Sequence, residues 1–159
     1  MVRWVTMLLA FVLCSTVAAC GGDGGSPSGS GPSGSGAEGS VSVSRDESLE
    51  SALRRASTDG TTIRLAEATD FSWTEVYVFS EGATPKEVSD AVGAPVLDGR
   101  YYDAGNLLVF STDGQVERAV SVVPDMLKAS VGTAYGRGTE LVPLGSVRPS
   151  ILELRQPPA

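Results

Sequence analysis

Histidine is absent from the 159 residues, and that absence excludes more chemistry than any other feature of the chain. Without imidazole there is no Ser-His or Cys-His nucleophile pair, no histidine base and none of the usual zinc sites. Cysteine is almost absent too, since Cys14 and Cys20 both lie within the first twenty residues. Neither can staple the rest of the chain, whose stability must come from packing. Positive charge is scarce, with 12 Lys and Arg against 19 Asp and Glu and a net charge of -7. Arg54-Arg55 is the only cationic cluster, so the basic face that a nucleic acid or an anionic lipid surface requires is missing.

What is present starts with a leader. Arg3 precedes an apolar run over residues 4–17 that only Thr6, Ser15 and Thr16 interrupt. A short basic start, an apolar middle and small residues are the layout of a secretory signal peptide. Read instead as a membrane span, residues 4–20 sit at the bottom of the roughly 17–25 residues that spanning takes, and they end in small residues with no charge directly flanking them. Val17-Ala18-Ala19-Cys20 resembles a bacterial lipobox. That resemblance implies cleavage after Ala19 and a diacylglyceryl thioether on Cys20. Two acyl chains would then anchor the protein stably to the cell membrane on its extracytoplasmic side. Residues 21–40 follow with nine Gly, six Ser and two Pro, a composition that predicts a flexible coil with a root-mean-square reach of roughly 25 Å. The expected division is a leader at 1–19, a lipidated cysteine and tether at 20–40, and one globular domain at 41–159.

Within that domain the spacing predicts an α+β fold, a small antiparallel sheet of four to six strands packed with two short helices. Ser44-Arg45-Asp46-Glu47 matches a capping box, and Leu49, Leu53 and Ala56 recur at helical spacing up to Gly60. Residues 61–66 read as a strand. Residues 73–79 read as a central strand, Trp73, Tyr77 and Phe79 sharing one face with Glu75, and Val76 and Val78 the other. Thr84-Pro85-Lys86-Glu87 is a second capping box, and Gly93 and Pro95 stop its helix. Residues 107–110 and 116–123 form a hairpin about Asp113-Gly114, the favoured type I′ pair. Residues 126–131 suggest a helical turn, 132–138 a loop, and 140–142 and 151–154 two closing strands.

Gly82-Ala83-Thr84-Pro85-Lys86-Glu87-Val88, followed by Ala91-Val92-Gly93-Ala94-Pro95, a strand and a D-G turn, is similar to small envelope proteins of the SmpA/OmlA and β-lactamase-inhibitor-like kind. The run at 73–79 also resembles a group of small bacterial lipoproteins of uncharacterised function. The resemblance implies an envelope location and protein contacts, and it carries over no catalytic residue.

No catalytic, metal or cofactor site is expected. Asp98, Asp103 and Asn106 lack the alternating spacing of a calcium loop. Asp70 and Glu75 are an acid/base pair only if a cleft joins them. Residues 132–138 are glycine-rich, yet no G-K-[ST] follows as a phosphate loop needs. Arg100, Tyr101 and Tyr102 are the leading contact residues, since aromatics beside an arginine favour protein partners. Trp73 and Tyr77 are the alternative, an aromatic strand face for a small ligand or wall polymer. The expected role is a non-enzymatic adaptor of the cell envelope.

Overall fold

The first described helix begins at Asp46, whose Oδ1 accepts the Leu49 N–H at 3.0 Å. In the computed structural model, which describes residues 41–122 and 124–158, β1 (Val43–Arg45) runs straight into this cap and α1 (Glu47–Asp59) follows. Asp46 therefore fills the role expected of Ser44, because Arg45, which a Ser44 cap would need as the first helical residue, is still extended beside Ser121. Leu49, Leu53 and Ala56 recur on one side of α1 and are fully buried, about 2 kcal/mol for each leucine. Gly60 ends the helix at φ 69° and donates to Ala56 O. The leader, Cys20 and the tether lie outside the described residues, as does Val123.

The remaining elements are β2 (Ile63–Arg64), a 3-10 turn (Leu65–Glu67), β3 (Glu75–Phe79), α2 (Pro85–Val92), β4 (Asn106–Thr112), β5 (Gln115–Val122), β6 (Leu127–Lys128), β7 (Tyr135–Gly136), β8 (Glu140–Pro143) and β9 (Leu152–Arg155). The fold is α+β with two mixed sheets in place of one antiparallel sheet. Five strands run in the order β1-β5-β4-β3-β7 and four in the order β2-β8-β9-β6. β1 pairs with β5, and β6 with β9, in parallel; the other ladders are antiparallel.

Thr84 caps α2 reciprocally with Glu87, with Pro85 at the first helical position. Gly93 closes that helix in the left-handed region, at φ 75°. Asp113 (φ 51°) and Gly114 (φ 78°) make the two-residue turn between β4 and β5, which requires positive φ at both positions. Register slips by one residue between Phe110 and Ser111, bulging β5 at Glu117.

Both faces of the five-stranded sheet are covered. On one, Val76, Val78, Leu108, Phe110 and Val120 pack with α1 and with Leu141, Leu152 and Leu154 of the smaller sheet. On the other, Phe79, Leu107, Val109 and Ala119 pack with Val88 and Val92 of α2 and with Val96 and Tyr102. β4 lies between the two and six of its seven residues are buried.

Three short segments depart from expectation. The strand expected at 61–66 stops after Arg64 and becomes the 3-10 turn, whose Leu65 N–H is bound by Thr139 O at 3.0 Å. Residues 127–128, expected as helical, pair with β9. Residues 135–136, expected as loop, pair with β3.

Candidate functional site

The residues between α2 and β4 display one tyrosine and bury its neighbour. Tyr102 packs under the sheet, and its hydroxyl donates to Ala104 O at 2.6 Å and lies 2.7 Å from Ser121 Oγ. Its backbone is held as firmly: Tyr102 N–H donates to Ala83 O at 2.8 Å, and Gly82 N–H to Tyr102 O at 2.7 Å. Glu81 ties the loop down by accepting the Gly105 N–H at 2.8 Å. Burial raises the Tyr102 phenol above its ordinary value, opposed by the Ser121 hydrogen bond. Tyr102 is therefore packed on the sheet rather than offered to a partner. Tyr101 points the other way and is 55% exposed, with Arg100 exposed beside it. Neither Arg100, Asp98 nor Asp103 forms an ion pair among the described residues.

Trp73 and Tyr77 do not share a face. A bend at Thr74, whose N–H donates to Ser111 O at 2.8 Å, breaks the alternation before β3 begins. Trp73 turns to the α1 side and is 1% exposed, its indole N–H donating to Thr69 Oγ1 at 3.0 Å. There it joins a stack: Arg118 over Phe71 (4.1 Å), Phe71 edge-on to Phe110 (4.9 Å), Phe110 against Trp73 (5.3 Å) and Arg137 beside Trp73 (5.5 Å). Tyr77 lies half-buried on the α2 side, where burial, then the nearby Glu75 carboxylate, raises its phenol. The aromatic strand face envisaged as a ligand groove is thus divided between two cores.

Asp70 and Glu75 are not brought together. Asp70 lies 3.9 Å from Arg118, the arginine stacked on Phe71 on the α1 side, while Glu75 shares the opposite face with Tyr77. Asn106 is fully buried and spent on backbone. Its Oδ1 accepts Met126 N–H (2.9 Å) and Leu127 N–H (2.8 Å), and its Nδ2 donates to Leu127 O at 3.3 Å. Among the described residues no group of three or more Asp and Glu is placed to hold a metal ion.

No family model, curated protein or solved structure matches the chain. Function must therefore be argued from the geometry.

That geometry includes a cleft of about 300 Å³ lined by Arg54, Ser57, Pro124, Met126, Pro149 and Ile151. Its walls are knit by Ser57 and Ser150: Ser150 N–H and Oγ donate to Ser57 O at 3.1 and 3.3 Å, and Ser57 Oγ donates to Ser150 O at 2.5 Å. Three segments remote in sequence, around residues 54–58, 124–126 and 149–151, build it, and none carries a local signal of the cleft. Ile151 (52% exposed) and Val147 (79% exposed) stand out from one loop there. In that loop the Arg148 guanidinium occupies the space that a Cβ on Gly60 would need.

Proposed function

We propose that this is a lipid-anchored extracytoplasmic protein of a bacterial envelope, a non-enzymatic module that works by binding another protein. The observation that carries the reading is the pairing of a pinned Tyr102 with an exposed Tyr101. A tyrosine on backbone that is already fixed loses little freedom on binding, which is the property of a good contact anchor. The lipobox-like Val17-Ala18-Ala19-Cys20 supports the anchored location. Among the described residues no helix is long and apolar enough to cross a membrane. A tether between anchor and domain raises the effective concentration of partners on the same surface.

The test is in-cell cross-linking of the full chain against its Cys20→Ala and Tyr101→Ala variants. The Cys20 change should abolish membrane recovery of the captured partner. The Tyr101 change should lower capture about tenfold or more with circular dichroism unchanged. Full capture by Tyr101→Ala would remove the loop from the contact.

A second reading, a tethered binding module for a small ligand or wall polymer, draws its support from the cleft. It moves the binding place from Trp73 and Tyr77 to the α1 side of the smaller sheet.

A further inference from the structure

The chain contains four Asp-Gly pairs, at 23–24, 59–60, 98–99 and 113–114. In such a pair the glycine nitrogen lies one ring closure from the aspartate carboxyl carbon, and glycine has no side chain to block the approach. Asp23-Gly24 lies outside the described residues. The fold treats the other three differently. Asp59 ends α1, where Gly60 N–H is held by Ala56 O at 2.9 Å and Arg148 fills the space beside Gly60. Asp113 and Gly114 are the hairpin turn, at φ 51° and 78°, with Thr112 paired to Gln115 across it. A five-membered ring must eclipse the aspartate Cβ with the next nitrogen about the Cα–C bond, and the ψ this demands is not that of a type I′ turn. Both pairs therefore need a local opening, of a helix end or of a hairpin, before they can close a ring.

Asp98-Gly99 carries no such restraint. Both residues are exposed and lie outside every helix and strand. Among the described residues, neither the Asp98 carboxylate nor the Gly99 N–H has a hydrogen-bond partner, and residues 94–101 make no backbone hydrogen bond at all. The segment is fixed only near its ends, by Val96 in the core with α2 and by Tyr102 on Gly82 and Ala83. The backbone at Gly99 is open to approach, since a Cβ there would meet only Tyr101 O, at 3.9 Å.

We infer that Asp98-Gly99 is a site of spontaneous backbone modification, at which aspartate passes through a succinimide to isoaspartate. The Gly99 nitrogen attacks Cγ of the Asp98 carboxylic acid. A C–N bond forms, a C–O bond breaks, and the oxygen leaves as water, one of its protons coming from the Gly99 N–H. A second water then opens the ring. Breaking the nitrogen's bond to Cγ restores aspartate, whereas breaking its bond to the Asp98 main-chain carbonyl carbon gives isoaspartate. One water is released and one taken up, and no other reactant is needed.

The product runs its main chain through Cβ and Cγ and carries its free carboxylate on Cα. Charge is unchanged, but the connection is one atom longer just before Arg100 and Tyr101. Its neighbours Val96 and Tyr102 stay buried in the core, so the change is confined to the exposed part of the loop. The inference goes beyond the adaptor reading and does not depend on it.

Trypsin puts each of these pairs in its own peptide, at 56–64, 87–100 and 101–118, so one digest reads all three. The full chain, purified from cells, is kept in warm neutral buffer, one portion native and one in urea, and digested at intervals. In the native portion the 87–100 peptide should split into two species of equal mass, the new one resisting an endoprotease that requires normal aspartate. It should convert about tenfold or more faster than the other two, whose pairs must await local opening. In urea the three should convert at similar rates. Gly99→Val, for which the loop has room, should leave the 87–100 peptide single. Native conversion at 101–118 or 56–64 that matches 87–100 would overturn the inference, as would an 87–100 peptide that stays single in the native portion. A rate difference that persists in urea would place the selectivity in the local sequence and overturn the role given to the fold.

Discussion

Asn106 joins the two sheets through one side chain. It begins β4 of the larger sheet and binds the backbone of Met126 and Leu127 at β6, an edge strand of the smaller sheet. Asn106→Ala would strand two N–H groups and one carbonyl in a buried site, at about 1–3 kcal/mol each. The expected loss is about 3–5 kcal/mol, read from the urea midpoint, whereas Asp98→Ala in the same connection should change little. Tyr102 makes a pH prediction at this scale. Its phenol ionises above its ordinary value of about 10 because burial disfavours the anion. The folded state therefore holds the proton more tightly than the unfolded chain. The resulting stability is complete below about pH 10 and is lost as pH rises through the folded value. Tyr102→Phe should be less stable at neutral pH by about 1 kcal/mol and should show a shallower alkaline decline in urea titrations. Neither role was legible in the sequence. Asn106 sits in a polar stretch and Tyr102 beside an identical residue, and their partners lie about twenty residues further on.

Elements whose signals are local were legible. Thr84 through Gly93 carries its cap, its proline and its stop within ten residues, and the hairpin carries its turn pair. The cap of α1 shows where such reasoning slips. Ser44 and Asp46 are both good caps, and only the parallel ladder to β5 decides between them by keeping Arg45 extended and so out of a first helical turn. Asp46 also lies 3.5 Å from Arg118. Asp46→Ala should therefore cost about 1–2 kcal/mol of unfolding free energy, and Ser44→Ala only a few tenths. An equal loss from both would contradict the assignment. The two-residue strands β6 and β7 were not legible for a related reason, whereas β2 was legible, but within an expected strand, 61–66, that is too long. β6 and β7 each span a single two-residue period, too little to show an alternation, and each is extended because a distant strand offers it hydrogen bonds.

At the scale of the whole molecule, the α+β class could be read from alternating strand and helix patterns. The division into two sheets could not. β8 and β9 show the same alternation whether they extend the first sheet or build a second. Their assignment depends on which apolar face α1 leaves uncovered, and that is settled by packing. The site divides the same way. Arg100 and Tyr101 could be picked out as an exposed aromatic beside a cation, whereas the cleft exists only once three remote segments have met.

The parallel seat of β1 has a mechanical consequence. Tension arriving through Val41 acts along the strand axis, so the bonds between β1 and β5 resist in shear and share the load. A strand pulled sideways from a hairpin end would instead yield one bond at a time, as a zip does. Behind β1 the chain passes at once into Asp46, gripped by α1 and Arg118, which leaves no slack to run out. The entry to this domain is built like a cleat, with the rope led in along the line of pull.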